Sequence, residues 1–375
     1  MHISKRTTLK NSILFILPIA LLLYSCGNSQ TKTPVNNQDL AETNIAKSQS
    51  ELIFEHTKVF PDNTQLAFAF IENGKVKFYG VEKRNDTIFT VQNQQNAFEI
   101  GSITKVFTST LLADFVLENK VELEDPINPF YDVEFKNGQE ITFKTLANHT
   151  SGLPRMPSNL DFDISNLDPF SSYDVDQLEY YLSNEMDLSF DEDGTYEYSN
   201  VGAGLLGHTL SKIGKQPLNQ LFQERIFLKY NMPNSTIGSE NVSVFLVQGQ
   251  SPEGKPVQNW NLASLSGAGD LISTVEDLSE FALAQFENDN KTLALTRTVT
   301  HTMSETSSIG LGWHMRKGPS GENWIWHNGG TGGYTSCMVM DTDNKNGVII
   351  LSNVSALGDP MIHIDELCFE LMGAL

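Results

Sequence analysis

A lysine stands inside an apolar helix with nothing nearby to neutralise it. From Ser102 to Glu118, apolar residues recur at Ile103, Val106, Phe107, Leu111, Phe115 and Val116, the spacing of a helix packed into a core. Lys105 lies within this run. The residues three and four positions to either side are Gly101, Ser102, Thr108 and Ser109, so no salt bridge forms along the helix. A buried, unpaired ammonium is costly and tends to shed its proton. Lowering an amine from about 10.4 to about 7 corresponds to roughly 4–5 kcal/mol of unfavourable surroundings. A chain tolerates that cost most readily at a functional position. Ser102 precedes Lys105 by one helical turn on the same face, which brings a hydroxyl beside an amine base.

Ser-x-x-Lys is a short pattern, and a second copy at Ser29 to Lys32 falls in a polar stretch where it has no structural context. That stretch follows a recognisable leader. Lys5, Arg6 and Lys10 precede an apolar run from Ile13 to Leu23, too short to span a membrane and flanked like a secretory signal. Its end, Leu23-Tyr24-Ser25-Cys26-Gly27, resembles the lipobox of bacterial lipoproteins. The resemblance implies cleavage before Cys26, lipidation of its sulfur, and a domain lipid-anchored to a membrane of the bacterial cell envelope, outside the cytoplasm. The plain alternative is an ordinary signal followed by an incidental cysteine. Residues 1–25 are therefore read as the signal and 26–50 as a flexible tether of polar composition. As a random coil, the 24 residues after Cys26 would span about 27 Å.

Charge narrows the partners. With 46 acidic and 25 basic residues the net charge is −21, and no basic stripe is visible, so nucleic acid is not expected to bind. Twelve carboxylates lie between Asp161 and Glu197, with no Lys or Arg from Met156 to Ser211. A solvated acidic face explains this better than calcium, because Asp191-Glu192-Asp193-Gly194 lacks the remaining ligands of an EF-hand loop. Cys337 and Cys368 are consistent with one disulfide or with two buried thiols.

The rest of the chain, 51–375, reads as one α/β (α+β) domain: an antiparallel sheet flanked by helices, with a mainly helical lobe inserted. Apolar runs from Thr64 to Ile71 and from Lys75 to Val81 flank Glu72-Asn73-Gly74, a strong hairpin signal, and Ile88 to Val91 suits a further strand. Between 123 and 290 helical spacing dominates, at Val175 to Asn184, Val201 to Ile213, Pro217 to Leu228 and Thr274 to Phe286, and few clear strands are expected. Strands return at Leu311 to Arg316, Asn323 to Trp326, Tyr334 to Asp341 and Gly347 to Asn353, and Met361 to Leu371 suits a closing helix. The sheet lobe is thus expected from 51–122 and 291–375, and the helical lobe from 123–290.

Two further stretches carry chemistry. Tyr198-Ser199-Asn200 stands just before the glycine-rich helix Val201-Gly202-Ala203-Gly204. Trp326-His327-Asn328-Gly329-Gly330-Thr331-Gly332-Gly333-Tyr334 is dense enough in glycine to let a backbone approach a ligand closely, but it is no phosphate loop, since no Gly-Lys-Ser/Thr follows. Alone, a tyrosine is as readily a core aromatic and a histidine as readily structural.

Taken in order, Ser102-Ile103-Thr104-Lys105, Tyr198-Ser199-Asn200 and His327-Asn328-Gly329 resemble the three motifs of the serine β-lactamase and penicillin-binding-protein superfamily. Phe98 to Lys105, Leu146 to Pro154 and Ala268 to Leu278 are similar to the class C-like branch, which includes esterases, D-amino-acid peptidases and β-lactamase-related hydrolases. The resemblance covers about residues 51–375. It implies that Ser102 is the acylated nucleophile, that Lys105 shares its proton, and that Tyr198 acts as base and then as acid toward the leaving group. It further implies that Asn200 orients Lys105 and substrate, that His327 stands on the cleft wall where lysine is usual, and that the amides of Ser102 and Gly330, beside Gly329, form an oxyanion hole. The chemistry needs neither metal nor cofactor.

Histidine in place of that lysine removes a full positive charge near pH 7, which argues against antibiotic hydrolysis as the main role. Asp193-Gly194 also replaces a usual Pro-Gly. The expectation is a serine hydrolase acting on a small-molecule or peptide substrate. Its alternatives are a β-lactamase or D-Ala-D-Ala carboxypeptidase, and a catalytically silent peptidoglycan- or ligand-binding lipoprotein. Gly-x-Ser-x-Gly and zinc-hydrolase motifs are absent from the sequence.

Overall fold

The structure, a computed structural model, describes residues 40, 45–162, 168–189, 195–358 and 360–375. The expected signal, Cys26, the Ser29–Lys32 pair, most of the tether and the Asp191–Gly194 turn lie outside these residues.

The first described helix, α1 (Lys47–Thr57), begins inside the stretch read as tether. Three of its four buried residues are polar, Gln49, Ser50 and Thr57, and only Ile53 is apolar, so its packing leaves little hydrophobic pattern. Then come β1 (Gln65–Glu72) and β2 (Lys75–Arg84), joined at Asn73 and Gly74. Both turn residues have positive φ, 51° and 74°, as the tight hairpin turn requires. β3 (Thr87–Thr90) and the two-residue β4 (Phe98–Glu99) lead to a tight 3₁₀ turn, Gly101–Ile103, that opens α2 (Thr104–Leu117).

The middle segment is mainly helical: α3 (Phe143–Ala147), α4 (Val175–Tyr180), α5 (Asn200–Gly214), α6 (Leu218–Phe222), a 3₁₀ segment at Ala263–Ala268 and α7 (Val275–Gln285). It also holds β5 (Thr236–Ile237) and β6 (Leu271–Ser273), which build a small sheet with β4 in the order β4-β6-β5. Strands of two and three residues are too short to show alternation. After α8 (Lys291–Thr296) come β7 (His301–Thr302), β8 (Ser307–Ile309), β9 (His314–Lys317), β10 (Asn323–Gly330), β11 (Thr335–Asp341), β12 (Asn346–Ser352) and α9 (Pro360–Gly373).

Nine strands form one antiparallel sheet in the order β3-β2-β1-β12-β11-β10-β9-β8-β7. Its two faces separate by the alternation of side chains along each strand. Ala67, Ala69, Ile71, Met338, Met340, Ile349 and Leu351 belong to one core, shared with α2, α5 and α7. Phe68, Phe70, Cys337, Val339, Val348 and Ile350 belong to the other, covered by α1 and α9. The result is helices on both sides of a β-layer. Cys337 and Cys368 are two buried free thiols between sheet and α9.

Candidate active site

The turn at Gly101–Ile103 presents Ser102 at the mouth of a cleft while α2 carries Lys105 inward, leaving it 2% exposed. Lys105 Nζ lies 2.8 Å from Ser102 Oγ and 2.6 Å from the carbonyl oxygen of Ala268. Burial, and then the positive charge of Arg155, hold this amine well below its ordinary value. A neutral amine has one lone pair. With an N–H given to Ala268, that lone pair is available to the Ser102 hydroxyl.

Tyr198 is fixed by its neighbours. Ser199 caps α5, its Oγ accepting from Gly202 N at 2.9 Å and donating to Pro154 O at 2.7 Å. Ser199 N donates to His149 Nδ1 at 3.2 Å, and Asn200 N to Arg155 O at 2.9 Å. The phenol so placed is close enough to Ser102 to feel its hydroxyl, and Lys105 Nζ lies 4.9 Å from its ring centroid. Burial pushes Tyr198 up to about 12, against the opposing pull of Ser102 and Arg155. Burial thus favours a protonated phenol and works against the charged form of the amine, so Lys105 is the group better suited to accept the Ser102 proton.

Backbone pairing supplies the amides. Thr331 N donates to Tyr334 O, so alternate residues of β10, Gly329 and Thr331, direct their amides to β11, and Gly330 directs its amide to the opposite edge. β9 covers that edge only as far as the pair Trp326–His314. Beyond it the Gly330 amide opens toward the Ser102 turn: a Cβ added to Gly101 would stand 2.5 Å from Gly330 N. At Gly329 an added Cβ would stand 1.9 Å from Ile100 O and 2.8 Å from Ser102 N, so only glycine lets strand and turn meet. Ser336 Oγ, donating to Ile100 O at 2.8 Å, fastens the same contact.

The stretch from His327 to Gly330 is strand rather than an approach to one, because β10 continues past Trp326. His327 does not stand on the cleft wall. Its ring is fully buried behind Tyr198, centroids 6.4 Å apart, with Nδ1 2.6 Å from Asn328 O. Burial pushes it well below its ordinary value, so it is neutral. Asn328, on the other face of the strand, lines the cleft and donates to Asp365 on α9 at 2.7 Å. Asn200 also lines the cleft, but its Nδ2 points to Met156 Sδ at 3.7 Å; the described partners of Lys105 Nζ are Ser102 and Ala268.

The cleft has a volume of about 680 Å³. Phe162, Phe170, Trp260, Leu262 and Leu265 give it an apolar wall, and among the described lining residues Arg155 is the one charged side chain. Arg155 is exposed, with no carboxylate partner among the described residues, and its guanidinium carbon lies 5.1 Å from the Tyr198 ring centroid. His314 and Trp326, stacked 4.9 Å apart, complete the floor, and burial pushes His314 down to about 4. Arg155 and His314 are absent from the residues picked out on sequence, and His149 lies in the Leu146–Pro154 stretch but is assigned no role there. The one available signal for Arg155 was its place as the last cation before a long cation-free stretch.

The arrangement supports acyl transfer: a hydroxyl beside a buried amine, a phenol able to give a proton, and two amides able to receive charge on a carbonyl oxygen. Comparisons with known proteins agree with this geometry. The family model described as Beta-lactamase matches residues 60–366. The chain is 27% identical over 375 residues to "Beta-lactamase-like protein 2" of Dictyostelium discoideum, covering 92% of this chain and 66% of that protein. It is 24% identical over 339 residues to "Protein flp" of Staphylococcus aureus (strain MW2), covering 84% and 64%. The chain thus spans just under two thirds of the length of these relatives. Among solved structures, a beta-lactamase/D-alanine carboxypeptidase from Pseudomonas syringae superposes with a TM-score of 0.70 at 17% identity, covering 86% of this chain and 97% of that one. An octameric penicillin-binding protein homologue from Pyrococcus abyssi gives 0.68 at 21%, covering 87% and 77%. At such identities these two show the fold alone. The match over most of the chain, on a sheet and cleft of this design, makes the protein a member of the beta-lactamase family, within the serine β-lactamase and penicillin-binding-protein superfamily.

Proposed function

We propose that the protein is a serine hydrolase that cleaves an ester, amide or peptide bond through an acyl-enzyme on Ser102. The observation that carries this reading is the 2.8 Å contact between Ser102 Oγ and a Lys105 amine whose burial disfavours its charged form. In the first step Ser102 Oγ bonds to the substrate carbonyl carbon and its proton passes to Lys105. The carbonyl oxygen takes the negative charge, facing the amides of Ser102 and Gly330. As the intermediate collapses, Tyr198 gives its proton to the departing alcohol or amine, and the Lys105 ammonium returns one to Tyr198. Water then attacks the acyl carbon, the same groups carry the protons in reverse, and the acid is released.

The cleft favours a substrate with an apolar portion, since most of its wall is apolar or aromatic. An ester or peptide is preferred to an antibiotic, because the position where lysine is usual holds a buried, neutral His327. Turnover of a chromogenic cephalosporin set against a short-chain nitrophenyl ester discriminates the two. Lipidation at Cys26 would hold the enzyme at a membrane of the bacterial cell envelope, and Cys26→Ala is expected to move it to the soluble fraction.

Intact-mass detection of an adduct on Ser102, in a panel of ester, amide and peptide substrates, is the direct test. Undiminished turnover by Ser102→Ala on a substrate the wild type cleaves overturns the reading. Failure of a fluorophosphonate probe to label the wild type would favour a silent binding protein.

A further inference from the structure

Behind the sheet, on the side away from Ser102, α1 and α9 bring together side chains that the acyl-transfer chemistry does not use. His56 lies in the last turn of α1. His363, Glu366 and Glu370 stand at positions i, i+3 and i+7 of α9, along one face of the helix. The two imidazoles meet edge to face, centroids 5.7 Å apart, and Phe60 packs against His363 at 6.1 Å. One nitrogen from each histidine and one oxygen of Glu366 all lie within 4.8 Å of one another.

A hydrogen bond between the helices explains part of this. His56 Nε2 is 3.2 Å from Glu370 Oε2. It leaves His56 Nδ1 buried with no hydrogen-bond partner among the described residues, however, an unfavourable state for a ring nitrogen. An ion would resolve it. A histidine bound to a metal through one nitrogen commonly gives its other N–H to a carboxylate, the relation in which Glu370 already stands to His56.

We propose that His56, His363 and Glu366 bind a divalent transition metal, with zinc the first choice, and that Glu370 steadies the His56 ring. Two imidazoles and a carboxylate suit zinc, nickel or copper and do not suit magnesium or calcium. A fourth, water ligand completes the tetrahedron. With zinc–ligand bonds of about 2.0–2.1 Å, tetrahedral ligand atoms stand about 3.4 Å apart. With all three atoms within 4.8 Å of one another, no gap need close by more than about 1.4 Å, within reach of the exposed Glu366 side chain. The ion would clip the first described helix to the last. It would also steady the helix whose Asp365 holds Asn328 at the cleft.

The site is tested on the full chain, without a histidine tag, by calorimetric titration with zinc and by the visible spectrum of added cobalt(II). One equivalent is expected, with a four-coordinate cobalt spectrum and a zinc-dependent rise in Tm of a few degrees. Loss of this binding is expected in His363→Gln and in Glu366→Gln, the second an exposed substitution that leaves folding undisturbed. Glu370→Gln should weaken it about ten- to a hundredfold. Absence of binding by the wild type overturns the proposal. So does unchanged binding in the His363 and Glu366 variants, which would place the ion elsewhere.

Discussion

Replacing Gly329 by alanine adds one methyl group at the point where β10 meets the Ser102 turn. Its Cβ would stand 1.9 Å from Ile100 O, whereas an ordinary contact is 3.4 Å or longer, so strand and turn must separate by about 1.5 Å. Neither side is free to yield: the turn is held by Ser336 Oγ, and β10 is paired with β11 through Gly330. Oxyanion donors act within 2.7–3.1 Å, and losing one costs about 10²–10³ in kcat. A shift of this size at the Gly330 amide is therefore expected to lower kcat on a nitrophenyl ester by about a hundredfold or more. KM should change little, because the charge being stabilised develops only in the transition state. Overpacking should destabilise the fold by about 1–3 kcal/mol, visible as a lowered Tm by circular dichroism without loss of structure. Gly373→Ala, with no neighbouring atom nearer than 4.0 Å, is the control and should behave as wild type. A folded Gly329→Ala protein that keeps kcat within threefold of wild type would refute the placement of the oxyanion site.

Lys105→Met should end turnover yet raise Tm, because it removes an amine whose burial disfavours the charged form. Between the lowered folded value and about 10.4, the unfolded chain binds the extra proton, so wild-type stability gains on the variant as pH rises. The Tm advantage of Lys105→Met should therefore shrink toward pH 10, and an advantage independent of pH would count against the assignment. In pH profiles of kcat/KM, a protonated Tyr198, pushed up to about 12, predicts no alkaline fall below about pH 10. An alkaline limb near pH 8 that disappears in Tyr198→Phe would contradict this. Arg155→Gln should lower kcat/KM for a carboxylate-bearing ester about ten- to a hundredfold relative to its neutral counterpart, the value of one charged hydrogen bond. An unchanged ratio of the two substrates would show that Arg155 does not meet the substrate.

The contact of Ser102 with Lys105 was legible because it is local: two residues one turn apart on an apolar helix need no tertiary information. The Asn73–Gly74 hairpin and the apolar runs of β11 and β12 were legible for the same reason. Helix α1 was hidden because its buried face is mostly polar, and the true length of β10 because glycines carry no side-chain pattern. What could not be read was adjacency between distant segments. Arg155 reaches the site only because the Pro154–Met156 loop is hydrogen-bonded to Ser199 and Asn200. The retreat of His327 behind Tyr198 depends likewise on His314 and Trp326 taking the cleft floor.

The strand order has a consequence for how the molecule is made. β1 lies between β2, its immediate successor, and β12, with Phe68 opposite Ile350, so one of its edges waits for a partner synthesised about 280 residues later. Until then Phe68 and Phe70 lack the Val348 and Ile350 side chains beside them, and α9, the second helix covering that face, comes later still. Such long-range closure is slow and comes late. A nascent chain of this design keeps that edge open until β12 is made, a liability for any product truncated before it.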